Sequence, residues 1–311
     1  MDTAVNFPTT PKAVKATSLK LNKRMNVEQA FQAIVRNCID QVQANEAGVV
    51  RFHGIESLHQ MRVGLRRMRA ALAMFDDVVH TPEYIRTELA WVSEQLAQAR
   101  DWDVLLASTL PQVEAAVESQ GALAQLRQAT QDKLAAMHAR AAAAVSSPRF
   151  QALLNRLDDW QEQRGWREHL SNKEKMRLKL RAADFAGAIM EKEKERLLKR
   201  GSKLKGASPE ERHRVRMAAK RTRYAAEFFA SLFPGKRIRP YVAALKSLQR
   251  ELGNLNDAAV GGRLLDDLCD GNDDLREESA LVRGYLAAGG EQGALRLRRL
   301  WKELAPIAVP C

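Results

Sequence analysis

The chain has 311 residues, of which 45% are hydrophobic, and its formal net charge at pH 7 is +12. This length and apolar content allow a large buried core and exclude disorder throughout, while scarce Gly and Pro and abundant Ala, Leu, Arg, Gln and Glu favour helix over sheet. The positive charge predicts an anionic partner, but it does not choose among nucleic acid, an acidic membrane surface and another polyanion.

The chain opens with a segment unlike the rest. Residues 1–24 are rich in Thr, Pro and Lys and have no apolar period, which predicts a flexible basic N-terminal tail. Beyond it, apolar residues at helical spacing and capping signals predict an all-α fold. Six of the predicted helices have both ends defined, at 27–47 with Asn26 as its cap, 112–145, 149–168, 172–201, 273–288 and 291–304. Two more are defined by their starts, one at Gly54 or Ser57 and one capped by Ser208. The last two begin after Pro82 and after Pro240, and they end in RDWDVLL at 100–106 and in GNLNDAAV at 253–260.

One motif occurs twice, as HQMRVGLRRMR at 59–69 and as HRVRMAAKRTR at 213–223. In both copies a histidine is followed by basic residues at plus 3, plus 7, plus 8 and plus 10. At about 100° per residue, the positions at plus 3, 7 and 10 of the first copy fall within about a quarter-turn of its histidine. An apolar stripe lies beside this basic face in both copies, formed by Met61, Leu65, Met68, Leu72 and Phe75 and by Val215, Ala219, Thr222, Ala226 and Phe229.

The repetition extends beyond the motif and predicts an internal duplication. Arg100-Asp101 corresponds to Asn256-Asp257 at nearly the same separation as the two histidines. We therefore predict two antiparallel helical bundles related by a pseudo-twofold axis, with half one at 25–147 and half two at 148–306, and a boundary at Ser147-Pro148. In that arrangement the two motif copies face each other and form a basic central surface.

The basic faces lack the acidic residues that a solvated surface helix would normally interleave. Residues 212–223 hold six basic and no acidic side chains. Because like charges this close repel one another, the motif makes most sense if an anion supplies the missing charge. Arg62, Arg66 and Arg69 span about 10 Å of helix, which suits several successive phosphates better than one small anion.

This doubled motif resembles that of the CHAD family, helical domains named for a histidine in this setting, and the resemblance covers about 27–304. It implies a compact all-α domain, 25–306, whose basic central surface binds inorganic polyphosphate without catalysis, with targeting to polyphosphate granules as a further expectation. The side chains expected to bind polyphosphate are those of the two motif helices: His59, Arg62, Arg66, Arg67, Arg69, His213, Arg216, Lys220, Arg221 and Arg223.

Two other functions stay open. A nucleic-acid binder would normally offer aromatic platforms to bases, whereas aromatic residues are 6% of this chain. A phosphate-transferring enzyme would use a histidine as acceptor or aspartates to hold a metal, but no Gly-rich P-loop occurs. Asp101, Asp103 and Asp257 are either metal ligands or partners that orient the arginines, and we favour the second role.

The remaining ionisable residues suggest no second site. We expect His59 and His213 either to be buried structural histidines or to donate to phosphate when protonated. The other four histidines, His53, His80, His138 and His169, show no helical pairing and are expected to be incidental. Three scattered cysteines predict neither a disulfide framework nor a zinc site, so no metal or cofactor is expected.

The sequence also bears on location. No apolar run approaches the roughly 18–20 residues of a membrane span, and the first residues lack the apolar block of a secretory signal. We therefore expect a cytoplasmic protein that does not associate with membranes.

Overall fold

The computed structural model describes residues 11–119, 121–204 and 206–310, and within these ranges the regular secondary structure is helical, with no β-strand. The α-helices are α1 (Val27–Gln43), α2 (Glu46–Phe52), α3 (Ile55–Phe75), α4 (Glu83–Gln95), α5 (Ala97–Val104), α6 (Leu110–Ala116), α7 (Ala124–Val145), α8 (Pro148–Glu162), α9 (Asn172–Leu178), α10 (Ala182–Gly201), α11 (Pro209–Phe228), α12 (Gly235–Cys269) and α13 (Arg276–Leu304). A π-helical turn, Leu105–Thr109, connects α5 to α6. The all-α prediction is confirmed.

Several helix starts follow the predicted capping signals. Asn26 caps α1 in a reciprocal capping box with Gln29, and Ser208 caps α11 in the same way with Glu211. Of the two predicted starts for α3, Gly54 is correct, because the helix begins at Ile55 and Gly54 is its N-cap. These capping signals can be recognised in the sequence because the two residues of each capping box are only three positions apart.

Two predicted helices are interrupted. The helix predicted at 112–145 ends at Ala116 and resumes at Ala124, because Glu118 and Gly121 adopt left-handed backbone angles that helix cannot accommodate. The helix predicted at 172–201 breaks between α9 and α10. There the Leu180 carbonyl accepts from the amide of Val27, and Ala182 donates to the carbonyl of Met25, so backbone groups are used for a tertiary contact.

Other helix boundaries were also wrong. The helix predicted at 27–47 ends at Gln43 and is followed by the short helix α2. His53, the residue after α2, has a left-handed backbone conformation. The two helices predicted at 273–288 and 291–304 form the single helix α13, which runs through Gly289-Gly290. Two glycines in a helix interior cost about 2 kcal/mol relative to alanine, and the packing of α13 against α12 offsets that cost.

The start of the predicted flexible tail lies outside the described residues, since the description begins at residue 11. Residues 11–24 contain no helix but contact the helical body. Asn45 exchanges hydrogen bonds with the backbone of Val14, Asn37 donates to Thr17, and the side chain of Leu21 is buried. These contacts attach the segment to α1 and its C-terminal end, which its composition did not indicate.

Most helices pack around a first hydrophobic core. Its centre is a cluster of rings in which Phe75 lies 5.1 Å from Phe31, 4.8 Å from Phe185 and 6.2 Å from Phe229 between centroids. Phe75 and Phe229 end the apolar stripes of the two motif helices, and every residue of both predicted stripes is buried. Both α3 and α11 are therefore fixed in rotation, with their basic faces turned away from this core.

A second, smaller core lies among α5, α6, α7, the C-terminal half of α12 and α13, and contains Trp102 and Leu265. Helix α12 joins the two cores, because Leu245, Leu248 and Leu252 belong to the first and Leu265 and Leu268 to the second. The α12 residues between these stretches are free to line a cavity. No helix in the described ranges is long and apolar enough to cross a membrane.

Candidate anion-binding site

Helices α3, α5, α11 and α12 surround a cavity of about 760 Å³. Among the described residues, its walls carry eight basic and three acidic side chains. The basic ones are Arg62, Arg66, Arg100, Arg212, Arg214, Arg216, Lys220 and Arg263, and the acidic ones are Asp101, Glu210 and Asp257. The cavity therefore has a strong excess of positive charge, and residues of both motif copies contribute to it.

Arg62 on α3 has hydrogen-bond donors with no partner. Its Nε and Nη1 are buried and bond to no other described residue. Burial and the neighbouring Arg66 guanidinium disfavour its charge and lower the pKa of Arg62 to about 10. The guanidinium remains charged at neutral pH, and its unpaired donors are available to an anion.

Arg216 occupies the corresponding place on α11. Its side chain is 18% exposed, its Nε is buried without a partner, and burial lowers its pKa. Nη2 of Arg216 lies 3.9 Å from Oδ1 of Asp257, which is an ion pair too long for a good hydrogen bond. The wall formed by α11 thus resembles the wall formed by α3, with a partly buried arginine whose donors are incompletely satisfied.

Two aspartates contribute the main negative charge of the cavity. Burial raises the pKa of Asp101, and the Asp257 carboxylate adds to this effect, whereas Arg62 opposes it. The Arg216–Asp257 contact favours the predicted arginine-orienting role for Asp257. The described residues contain no group of three or more His, Cys, Asp or Glu side chains arranged to hold a metal ion.

Both motif histidines line the cavity. His59 is partly buried, and burial, followed by the positive charge of Arg100, lowers its pKa, so it is neutral at neutral pH in the empty cavity. His213 is exposed, and its Nδ1 donates to Oδ1 of Asn256 at 3.2 Å. Neither is fully buried, which leaves both accessible to an anion.

The other four residues of the predicted site lie outside this cavity. Arg67 is buried and donates to Gln41 at 2.8 Å and to Asn37 at 2.7 Å, so it joins α3 to α1. Arg221 forms a two-point ion pair with Glu193 of α10.

Arg69 and Arg223 lie one turn beyond the cavity. Arg69 is exposed, and Arg223 lies 3.6 Å from Glu227 with its guanidinium 5.1 Å from the ring centroid of Tyr224. The structure therefore brings together six of the ten predicted side chains: His59, Arg62, Arg66, His213, Arg216 and Lys220.

A known family matches most of this chain. Residues 33–266, which include both motif helices, match the family model described as CHAD domain. The chain belongs to the CHAD family.

Solved structures that are similar to this CHAD domain include one from a plant and one from a bacterium of the genus Streptomyces. The crystal structure of the CHAD domain from the plant Ricinus communis shares 36% sequence identity and superposes with a TM-score of 0.85, covering 96% of this chain and 99% of the plant chain. PptA from Streptomyces chartreusis shares 18% identity at a TM-score of 0.67, covering 89% and 99% respectively, and so shows the same fold. A search of curated proteins gives no significant match.

Four basic residues of the CHAD cavity were not in the predicted site. Arg212 and Arg214 precede and follow His213 and had been counted only as part of a basic run. Arg100 was used only to define the repeat. Arg263 lies seven residues after Asn256, which is two turns along the same face of α12, so helical spacing from the repeated Asn256-Asp257 pair would have found it.

A second basic groove adjoins the cavity of this CHAD domain. It has a volume of about 480 Å³ and lies between the C-terminal part of α10 and the N-terminal part of α11. Five basic side chains and one acidic side chain line it: Arg196, Lys199, Arg200, Lys203, Arg214 and Glu211. Because Arg214 lines both spaces, positive charge continues from the cavity into the groove.

The four histidines expected to be incidental do have partners. His138 is buried and its Nε2 donates to Oδ1 of Asp103 at 2.9 Å, while its ring stacks on that of His53 at 6.2 Å. The rings of His80 and His169 lie 5.5 Å apart, edge to face. Helical spacing did not reveal these pairs because the partners lie on different elements, and the His138 contact gives Asp103 a structural role.

Proposed function

We propose that this protein binds inorganic polyphosphate in the cavity and catalyses no reaction on it. The observation that carries the proposal is the set of unpaired arginine donors on two helices that line the cavity and contact each other, Arg62 on α3 and Arg216 on α11. Buried donors without partners cost free energy, and an anion with several oxygens would satisfy them. The CHAD resemblance implies polyphosphate as that anion.

The spacing of the cations favours a linear polymer. Arg62 and Arg66 lie one turn apart on α3, and Arg216 and Lys220 lie one turn apart on α11, so each wall offers cations about 6 Å apart along its axis. A phosphate chain would contact cations of both walls in succession and would neutralise most of the positive charge of the cavity.

Nucleic acid is the alternative ligand, and the lining of the cavity argues against it. No Phe, Tyr or Trp side chain is among the described residues that line the cavity. Base stacking on aromatic rings supplies about 1–3 kcal/mol per base in single-strand binders, and this cavity lacks the large rings that commonly provide it. The cavity would bind the phosphate groups of a nucleic acid but would not bind its bases.

The surroundings of the histidines support binding without catalysis. His213 donates to the amide oxygen of Asn256, whereas a catalytic histidine is commonly oriented by a carboxylate that increases its basicity. The sole histidine–carboxylate pair within the described ranges, His138–Asp103, is buried away from the cavity wall. We propose that the protein acts in the cytoplasm, and that binding of the polymer places it on polyphosphate granules.

A direct titration with long-chain sodium polyphosphate, combined with an assay of released phosphate, tests this function. We expect saturable binding that weakens steeply with salt and no release of phosphate over hours at neutral pH. Release of phosphate by the wild-type protein that disappears in a His59→Asn variant would instead identify an enzyme.

The groove between α10 and α11 leads to a prediction about chain length. Replacing Arg200 and Lys203 by glutamine removes two exposed cations outside the cavity. Exposed ion pairs contribute about 0.2–1 kcal/mol each, so the affinity for long-chain polyphosphate is expected to fall by a factor between about 2 and about 30. The affinity for tripolyphosphate, which is too short to leave the cavity, is expected to be unchanged.

The matched control for the groove variant is the double substitution Lys236→Gln and Arg239→Gln. It removes the same charge from exposed positions near the start of α12 that line neither space. An equal loss of affinity in the control would show that only the net charge matters, and the groove would then have no specific role. The comparison is made by titration of both polymers at one salt concentration.

A further inference from the structure

Lys220 is unusual among the cations of the cavity because it is buried, with 9% of its surface exposed. It lies one turn after Arg216 on α11, and no hydrogen bond or ion pair to its amino group is present within the described ranges. An amino group that belongs to a largely buried side chain and has no partner is costly to keep charged. The surroundings of Lys220 therefore decide its protonation state.

The charged groups around Lys220 are mainly positive. The charges that act on it are those of Arg62 and Arg66 on α3, Arg216 on α11 and Asp257 on α12, and Arg100, Asp101 and Arg263 line the same cavity. Two further carboxylates on α10 and α11 are engaged elsewhere, Glu193 by Arg196 and Arg221 and Glu227 by Arg223. Asp257 is thus the main neighbour that favours a charged lysine, and it also lies close to Arg216.

The balance of these groups favours the neutral amine. Burial, followed by the positive charges of Arg66 and Arg216, lowers the pKa of Lys220 to about 6, and Asp257 opposes this only in part. At pH 7.5 the amine is therefore mostly uncharged in the empty cavity. A neutral Lys220 adds no further positive charge to a cavity whose arginines already repel one another.

We propose that polyphosphate enters the cavity together with a proton, which the Nζ atom of Lys220 takes up from solvent. This inference rests on the proposed function and adds the uptake of one proton to the binding reaction. Phosphate oxygens bring the negative charge that the lysine lacks, so the ammonium form becomes favourable as the polymer binds. Lys220 then makes a charge-assisted contact that exists only in the complex.

The sign of the pH dependence follows from the proton count. Above pH 6 the free protein has lost the proton of Lys220, whereas the complex retains it until the pH exceeds the raised pKa of the bound state. Over that range the complex holds one more proton than its separate components, so affinity falls about tenfold for each unit of rising pH. Below about pH 6, Lys220 is protonated in both states and contributes no pH dependence.

Titration calorimetry with long-chain sodium polyphosphate at pH 8.0 tests the proposal, in buffers that differ in ionisation enthalpy, such as Tris and HEPES. The observed binding enthalpy varies linearly with the buffer enthalpy, and the slope gives the number of protons taken up per protein. We expect about one for the wild type. In Lys220→Arg, whose side chain is charged at every accessible pH, uptake is expected to approach zero while binding persists.

Two controls separate Lys220 from other titrating groups. Lys302→Arg makes the same substitution at an exposed position of α13 outside the cavity, and it is expected to leave the uptake at the wild-type value. His59→Asn removes the partly buried histidine of the cavity, and at pH 8.0 it is expected to lower the uptake only slightly.

Wild-type binding with no proton uptake, or equal uptake in Lys220→Arg, would overturn the proton coupling and leave polyphosphate binding intact. Absence of polyphosphate binding in every protein would overturn the proposed function as well.

Discussion

Replacing both Arg62 and Arg216 by glutamine is expected to weaken binding of long-chain polyphosphate by a factor of about 10² to 10⁴. Each arginine offers at least one buried donor to the anion, and a hydrogen bond between charged groups contributes about 1.5–3 kcal/mol. The loss of two cations that neutralise phosphate is also expected to lower the salt slope by about 1.4. Isothermal titration at several salt concentrations measures both quantities.

The control for this variant is the double substitution Arg239→Gln and Arg298→Gln, which removes the same charge from exposed positions outside the cavity. Its affinity is expected to stay within a few-fold of wild type. Circular dichroism of both variants should show unchanged helical content, because neither arginine of the cavity holds the fold together through a strong ion pair. Wild-type affinity in Arg62→Gln/Arg216→Gln would rule out the assigned site.

Leu65→Asp is expected to abolish the native fold. Leu65 is 2% exposed and belongs to the apolar stripe of α3, so aspartate would leave a carboxyl group without a partner and a cavity in the first core. Burial of such a group and loss of the leucine contacts together cost several kcal/mol, a large part of the 5–15 kcal/mol by which domains are stable. Thermal unfolding followed by circular dichroism is expected to show no cooperative transition at 37 °C or above.

Leu65→Met provides the matched comparison, because it keeps the volume and apolar character of the side chain. It is expected to cost less than about 1.5 kcal/mol and to retain full polyphosphate binding. A cooperative transition near the wild-type temperature in Leu65→Asp would show that the stripe of α3 does not face the core. The contrast between core and cavity variants therefore separates loss of fold from loss of ligand contacts.

The parts of the fold predicted from sequence depend on residues a few positions apart. The apolar stripes of α3 and α11 and the caps at Asn26 and Ser208 follow from helical spacing and short-range hydrogen bonds. The breaks before α7 and α10 were missed because they depend on left-handed residues and on backbone contacts with α1. Tertiary contacts of that kind leave no periodic pattern.

The candidate site likewise contains some positions that line the cavity as predicted and others that do not. The motif positions at plus 3 and plus 7, Arg62, Arg66, Arg216 and Lys220, all line the cavity. The position at plus 8 lies at about 80° on the helical wheel, well away from the others, and both residues there turn to a neighbouring helix. Arg67 contacts Asn37 and Gln41, and Arg221 contacts Glu193.

The burial of Lys220 was not readable from the sequence, because its neighbours come from helices distant in the chain. In sequence it is one lysine among arginines, whereas its environment combines burial with cations of α3 and α11. The predicted internal duplication stays a prediction, although residues of both motif copies meet in one cavity.

Competition binding at physiological salt tests the central claim most directly. Labelled long-chain polyphosphate bound to the wild-type protein is displaced by unlabelled polyphosphate, single-stranded DNA, RNA or pyrophosphate. A cavity rich in phosphate-binding cations and without Phe, Tyr or Trp among its described lining residues predicts displacement by polyphosphate at concentrations at least tenfold lower, per phosphate, than by DNA or RNA. Equal displacement by RNA or DNA would contradict the account and identify a general polyanion surface.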